Sequence, residues 1–329
     1  MHTLSINDIF SIQTDEEFQD IALRIFRFQA ENSHVYREYL FHLGINVSAI
    51  NNITQIPFLP IEFFKTHQIL FADKPIEKAF FSSGTTGQQR SNHFVSDISI
   101  YEKSFMEGFK LFYGNPEDYC IVALLPSYME NESSSLVYMA DYLINKSKNE
   151  YSGFYLNALD ELPLKLKKLE SLGQTTILLG VSYALLDLVE QFPVKLSHAI
   201  IMETGGMKGR RKELTKKELH QVLCSGFGVG SIHSEYGMTE LLSQAYAKAD
   251  GKFFTPPWMK ILIRDTYDPF TFLEPGKSGG INIIDLANIY SCSFIETKDL
   301  GKMNSDGSFE VLGRFDYSDI RGCNLLVAE

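Results

Sequence analysis

The sequence predicts an α/β fold, in which a largely parallel sheet covered by helices is followed by a small β-rich region. Two observations carry this. Between about residues 97 and 235, short apolar runs alternate with segments of helical period; after Gly251 the helical period gives way to short runs separated by Pro, Gly and Asp turns. Strands alternating with helices need crossovers, which means parallel pairing with both faces covered. Short runs between turn residues mean strands joined directly. With 329 residues and 44% hydrophobic content, the chain can bury one large core. Residues 1–329 therefore read as one domain with three subregions, a helical segment 1–78, an α/β core 79–250 and a β-rich part 251–329.

The elements follow in order. Phe18, Ile21, Ala22, Ile25 and Phe26, then Val35, Tyr36, Tyr39 and Leu40, recur at helical spacing and predict two amphipathic helices over 15–43. Ile56-Pro57-Phe58-Leu59-Pro60-Ile61 predicts an extended connector, because two prolines exclude a regular helix. Asp97 to Tyr113 predicts a helix, Cys120 to Leu125 a buried strand and Ser133 to Ile144 a helix. Thr175 to Leu179 predicts a strand, Ser182 to Phe192 a helix and Ala199 to Met202 a third strand. Thr215-Lys216-Lys217-Glu218 has capping-box spacing and opens a helix through Leu223. Beyond Gly251, strands are predicted at Lys260–Ile263, Gly280–Ile284, Ser293–Thr297 and Ser308–Leu312. There is no internal repeat or low-complexity tract.

Composition excludes several function classes. A net charge of −11 argues against nucleic acid or an anionic membrane as a partner. The N-terminus lacks a basic region followed by an apolar run, so no secretory signal is expected. The most apolar stretch, Ile177 to Val189, is interrupted by Ser182 and Asp187 and is too short to span a bilayer. Cys120, Cys224, Cys292 and Cys323 lie far apart without metal-type spacing and read as reduced thiols of a cytoplasmic protein. Gly276-Lys277-Ser278 fails as a phosphate-binding Walker motif, because its first glycine would fall at Thr271. Gly226 to Ser231 fails as a dinucleotide loop for want of the last glycine, and no Gly-x-Ser-x-Gly elbow exists to anchor a hydrolase triad.

Four segments carry chemistry. Ser82-Ser83-Gly84-Thr85-Thr86-Gly87 consists only of glycines and hydroxyl carriers, and Arg90 follows it. Glycines let successive backbone N–H groups turn toward an anion, the hydroxyls add donors and the arginine adds charge, so the segment suits phosphate. Glu203-Thr204-Gly205-Gly206 leaves the third strand into the basic cluster Lys208 to Arg211, which fits the edge of an anion site as well as an ordinary strand-to-helix turn. His233-Ser234-Glu235-Tyr236-Gly237-Met238-Thr239-Glu240 places an aromatic for stacking, a hydroxyl for phosphate and a carboxylate for Mg²⁺ close together; a helix start with Tyr236 in the core is the alternative. Thr297-Lys298-Asp299, followed by a turn over Met303–Ser308 and then Gly313-Arg314, sets Asp299 and Arg314 near each other across paired strands.

In this order the segments resemble the adenylate-forming superfamily of acyl- and aryl-CoA ligases, adenylation domains and luciferases. Ile56 to Pro60, Phe64-Lys65, Glu203 to Arg210 and the ending Asp319-Ile320-Arg321-Gly322-Cys323 are similar to the acyl-protein synthetases of bacterial bioluminescence fatty acid reductase complexes. The resemblance implies that Ser82, Ser83, Gly84, Thr85, Thr86 and Gly87 bind the triphosphate of ATP, with Arg90 nearby. It implies that Gly205 and Tyr236 flank the adenine, that Thr204, Gly206 and Gly237 also bind the nucleotide, that Thr239 contacts the α-phosphate, and that Glu240 holds Mg²⁺. Asp299 would bind the ribose hydroxyls with Arg314 beside it, and His233 joins Thr239, Glu240 and Cys323 as a candidate catalytic residue. Superfamily members commonly continue into a small mobile domain with a catalytic lysine, and a chain ending at Glu329 is expected to lack it.

The implied reaction activates a carboxylic acid, a fatty acid in the similar synthetases, as an acyl-adenylate and then transfers the acyl group to a thiol. Cys323, beside Arg321, is the candidate acceptor on this chain. An acyl-acceptor protein or a reductase subunit is the expected partner. Two other readings remain open at this point, a ligase with CoA as acceptor and a non-catalytic nucleotide-binding scaffold.

Overall fold

The computed structural model describes residues 5–71, 74–83, 89–126, 129–205 and 214–315. Helices α1 (Ile6–Phe10), α2 (Asp15–Asn32) and α3 (His34–His42) open the chain, and α2 starts on a Thr14–Glu17 capping box. Strand β1 (Leu59–Pro60), helix α4 (Phe63–Thr66) and the antiparallel pair β2 (Lys78–Phe81) and β3 (Asn92–Val95) follow. The alternating region is α5 (Ile98–Tyr113), β4 (Cys120–Leu124), α6 (Ser135–Ser147), β5 (Gly153–Phe154) and α7 (Leu162–Ser171). It continues with β6 (Thr176–Val181), α8 (Ser182–Gln191), β7 (Ala199–Thr204), α9 (Lys216–Phe227) and β8 (His233–Tyr236). The capping box of Thr215 and Glu218 forms as its spacing predicts. The last strands are β9 (Ala245–Ala247), β10 (Phe253–Phe254), β11 (Met259–Arg264), β12 (Ser278–Asp285), β13 (Phe294–Met303) and β14 (Phe309–Arg314).

One continuous sheet runs in the order β11-β12-β13-β14-β10-β9-β8-β7-β6-β4-β5, with β1 alongside β13. From β5 to β8 every pair is parallel, and from β8 to β11 every pair is antiparallel. The β-rich part expected after Gly251 is thus continuous with the α/β core. What changes near that point is the sense of pairing, and it changes at β8–β9, because the short link between them can return antiparallel but cannot make a crossover.

The proline-containing connector is more than a linker. Leu59 and Pro60 pair in parallel with Ile295 and Glu296, and the Ile61 N–H donates to the Glu296 carbonyl at 2.9 Å. Pro60 is tolerated because β1 pairs on one side only, so its missing N–H costs no ladder bond. The N-terminal helices pack on the same region. Phe26 and Phe58 meet Phe294 edge-on, with ring centroids 6.0 and 6.2 Å apart, and the buried Gln29 side chain donates to the carbonyls of Asn288 and Ile289. The helical segment therefore braces the short 3₁₀ turn Leu286–Asn288, which in turn supports the site described next.

Candidate active site

The parallel strands all point the same way, so their carboxyl ends form one edge, where α/β sheets bind ligands. Thr204 and Gly205 end β7, and Tyr236 and Gly237 end β8. Gly205 has φ of +67°, a conformation natural to glycine, and its carbonyl accepts from the Ser182 hydroxyl at 2.8 Å. The Thr204 hydroxyl turns to the other face and donates to the buried Glu235 carboxylate. A side chain at Gly237 would sit 2.5 Å from that same carboxylate and would have to displace it.

Beside this edge, Asp299 of β13 lies directly across from Arg314 of β14, the pairing that the turn over 303–308 predicts. The Tyr236 hydroxyl donates to one Asp299 oxygen at 2.8 Å, and Arg314 Nε donates to the other at 3.2 Å. Asp299 is buried, whereas the Arg314 side chain is 81% exposed. Each carboxylate oxygen keeps a free lone-pair direction for a further donor. The Tyr236 ring packs against Phe253 and Phe309, with centroids 5.8 and 5.5 Å away, and is only 8% exposed. Burial first, and then the Asp299 charge, pushes its hydroxyl well above the ordinary tyrosine range. This Tyr236 orients Asp299 from the interior and does not offer an open ring face.

The two ends of the glycine-hydroxyl segment are pinned together. The Ser82 N–H donates to the Ser91 carbonyl at 3.0 Å, and the Ser91 N–H donates to the Ser82 hydroxyl at 2.9 Å. The Ser91 side chain lies near the buried Glu240 carboxyl. Burial raises the Glu240 carboxyl above its ordinary value; the Ser91 hydroxyl and the charges of Arg314 and Lys65 oppose that rise. Glu240 makes no ion pair with a described residue. The backbone around it is held on all sides. His93 donates from Nδ1 to the Thr239 carbonyl at 2.9 Å, and the Asn288 amide donates to the Glu240 carbonyl at 2.8 Å. Asp285 accepts from the N–H groups of Leu242 and Ser243, each at 2.9 Å.

Two more buried acids lie at the same edge with opposite behaviour. Burial would raise Glu203, but bonds from His220 and Lys216 and the Lys216 charge outweigh it and hold the carboxyl at about 2. Burial, with the nearby Glu203 charge, pushes Glu235 up to about 7. His233 stands at the other end of β8, with its Nδ1 hydrogen-bonded to the Tyr113 hydroxyl at 3.1 Å. Burial and then the Lys248 charge lower it to about 4. The structure thus brings Ser82, Thr239, Glu240, Tyr236, Asp299, Arg314, Thr204, Gly205 and Gly237 to one edge, and gives His233 a partner on α5. Ser83 and Arg90 are exposed at the two described ends of the segment. Gly84, Thr85, Thr86, Gly87, Gly206 and Cys323 lie outside the described residues.

Residues that carry no sequence signal complete the site. Ser91, His93, Asp285 and Asn288 are a lone serine, a lone histidine and two polar residues next to apolar runs, and only the folded chain brings them against Glu240. Lys65 was legible as part of Phe64-Lys65, but without a role. Its carbonyl accepts from the Gln89 amide at 2.6 Å, which ties α4 to the far end of the segment, and its charge acts on Glu240. A magnesium ion with phosphate ligands needs one or two carboxylates rather than a protein cage. A desolvated Glu240 without an ion pair among the described residues fits that requirement, since a cation would offset the cost that burial imposes on its charge. Among the described residues no cluster of three or more metal-ligating side chains exists.

The family model of the acyl-protein synthetases, LuxE, matches residues 10–329. The chain belongs to the acyl-protein synthetase family. A search of curated proteins finds no match. Among solved structures, ATP-bound MatB from Rhodopseudomonas palustris is 19% identical over 74% of this chain and 50% of its own, with a TM-score of 0.54. A 2-hydroxyisobutyryl-CoA ligase in complex with 2-HIB-AMP is 12% identical over 92% of this chain and 68% of its own, with a TM-score of 0.66. At these identities the likeness establishes the fold, that of acyl-CoA ligases, as the sequence predicts. The chain spans about half the length of MatB. Among the described residues no helix is long and apolar enough to cross a membrane.

Proposed function

We propose that this protein activates a carboxylic acid, in the first place a fatty acid, with MgATP and transfers the acyl group to a thiol. In the first step a carboxylate oxygen attacks the α-phosphorus, the bond to the β-phosphate oxygen breaks, and pyrophosphate leaves. In the second a thiolate attacks the acyl carbonyl and AMP leaves. The observation that carries the reading is the meeting of Glu240 and Ser91 at the pinned ends of residues 82–91, with Arg314 acting on Glu240 and bonded to Asp299. In this reading Asp299 accepts the ribose hydroxyls, oriented by Tyr236. Residues 82–87 take the β- and γ-phosphates, and Thr239 faces the α-phosphate. Mg²⁺ held by Glu240 would neutralise charge on the phosphates. The chain contributes mainly by positioning and charge compensation, as such displacements require.

The acceptor thiol is Cys323 in this proposal, with a partner protein or reductase subunit receiving the acyl group in turn. The described cysteines support looking elsewhere than at them. Burial raises Cys120 to about 11 and Cys292 to about 12, and also raises Cys224, and a protonated thiol is a poor nucleophile.

The test is acid-dependent ATP–pyrophosphate exchange over a panel of carboxylic acids, followed by labelling with ATP and a labelled fatty acid. Exchange and a hydroxylamine-labile adduct that Cys323→Ser removes, with exchange spared, are expected. Label on added CoA alone would replace the protein acceptor by CoA. Absence of exchange with every acid would leave a nucleotide-binding scaffold.

A further inference from the structure

His93 is wholly buried, lies outside every motif, and yet joins two of the segments just assigned. Its ring makes two hydrogen bonds, one at each nitrogen. The Thr239 carbonyl can only accept, so Nδ1 carries the proton; Nε2, 2.9 Å from the Ser291 hydroxyl, is then the acceptor. Phe64 packs edge-on against the ring, with centroids 5.5 Å apart. The imidazole is thus fixed in one tautomer and one orientation. Burial holds it neutral, with its pKa lowered to about 4.

The link is between β3 and the turn that carries Glu240. His93 of β3 bonds the Thr239 carbonyl, Thr239 precedes Glu240, and Ser91, two residues before His93, acts on the Glu240 carboxyl. The start of β3 and the turn at 238–241 are therefore tied together at His93. A third segment supports the same turn. The Ser291 N–H donates to the Asn288 carbonyl at 2.9 Å, and Asn288 itself donates to the Glu240 carbonyl.

Building on the proposed function, we infer that His93 is a positioning residue for MgATP, fixing the Glu240 carboxylate through its Nδ1–H bond to Thr239. It touches neither nucleotide nor metal and acts through the backbone of the turn. A carboxylate that must meet a metal ion depends on where its backbone is held, because misplacement of a fraction of an ångström weakens the grip.

Two substitutions separate the two nitrogens. An asparagine amide nitrogen falls near Nδ1, and a glutamine amide nitrogen falls near Nε2. His93→Asn should keep the Thr239 bond and bind MgATP within about threefold of the parent protein, whereas His93→Gln should lose about tenfold. Binding is read by calorimetry without turnover, thermal unfolding is followed in parallel, and ATP without Mg²⁺ should discriminate the variants less. Equal MgATP affinity in both variants, whether unchanged or equally weakened, would overturn the inference and leave His93 as packing. If neither variant folds, Ser291→Ala decides. It leaves the imidazole in place but frees its orientation, and should weaken MgATP about threefold. An unchanged affinity there overturns the inference too. A parent protein that binds no MgATP would instead strike the proposed function.

Discussion

The parallel and antiparallel halves of the sheet put their polar residues in different places. Strands β4 and β6 are buried along their whole length and almost wholly apolar, and β7 turns polar only at its carboxyl end, Glu203 and Thr204; the short β8 carries His233, Ser234 and Glu235 up to the same edge. In the antiparallel half the polar groups sit inside the strands, as with Arg264, Asn282, Thr297 and Asp299. A parallel sheet covered on both faces leaves little room for polar side chains along its central strands, but all its carboxyl ends emerge together. An antiparallel sheet alternates direction, so it collects no such edge and brings groups together through cross-strand register, as with Asp299 and Arg314. The candidate site lies where the two devices meet.

This contrast can be broken most directly through glycine. A Cβ at Gly280, in the antiparallel half, would lie 2.3 Å from Arg264 Cζ. That guanidinium is buried and donates to the Ile281 and Thr297 carbonyls and the Asn282 amide. Gly280→Ala should cost more than about 3 kcal/mol in urea unfolding, through displaced and orphaned polar groups. Gly180→Ala, in the parallel half, meets only the Leu124 and Leu185 side chains, the nearest atom at 2.9 Å, and should cost about 1–2 kcal/mol. Equal costs would show that the polar interior of the antiparallel half is not its weak point.

The acid pair at the parallel edge makes a pH-dependent prediction. Because folding raises the Glu235 carboxyl from 4.5 to about 7, the folded state resists its ionisation. The resulting penalty is absent below about pH 4.5, grows as pH rises toward 7, and is constant above. Glu235→Gln should therefore match the parent protein near pH 4 and exceed its stability by up to about 3 kcal/mol at pH 8. A difference that shrinks with rising pH would refute the assignment.

Smaller effects separate chemistry from folding. Glu240→Gln should lower pyrophosphate exchange on the order of a hundredfold without lowering the unfolding temperature, because a neutral amide is easier to bury than a carboxylate. Normal exchange in that variant would remove Glu240 from the chemistry. Asp299→Ala should weaken ATP about tenfold by calorimetry, and Tyr236→Phe, which removes only the orienting hydroxyl, about threefold. A Tyr236→Phe effect as large as that of Asp299→Ala would mean that the tyrosine contacts the nucleotide itself.

The glycine-hydroxyl segment, the strand-helix alternation, the Thr215 capping box and the pairing of Asp299 with Arg314 across a turn were all legible in the sequence. Each depends on neighbours within about twenty residues, through backbone freedom, hydrophobic period or hairpin geometry. The same local logic identified Thr239 as a hydroxyl for phosphate and Glu240 as a carboxylate for Mg²⁺, while leaving a helix start as the alternative for a segment that the structure shows as a turn. It assigned the connector at 56–61 its extended shape, but not its partner at Ile295 and Glu296.

What tertiary structure alone decided is which of these pieces touch. The continuity of the β-rich part with the α/β core, the seat of β1 beside β13, and the grip of His93, Asp285 and Asn288 on the turn around Glu240 join residues 42 to 236 positions apart. Nothing in a lone histidine or a strand-end aspartate marks it for such a contact, since its partner is chosen by packing of whole elements and not by its own neighbours. Sequence by itself therefore determined the kind of chemistry and the local shapes that carry it. The folded chain decided the spacing between them, because burial removes water as a competing partner and obliges each enclosed polar group to find its bond within the protein.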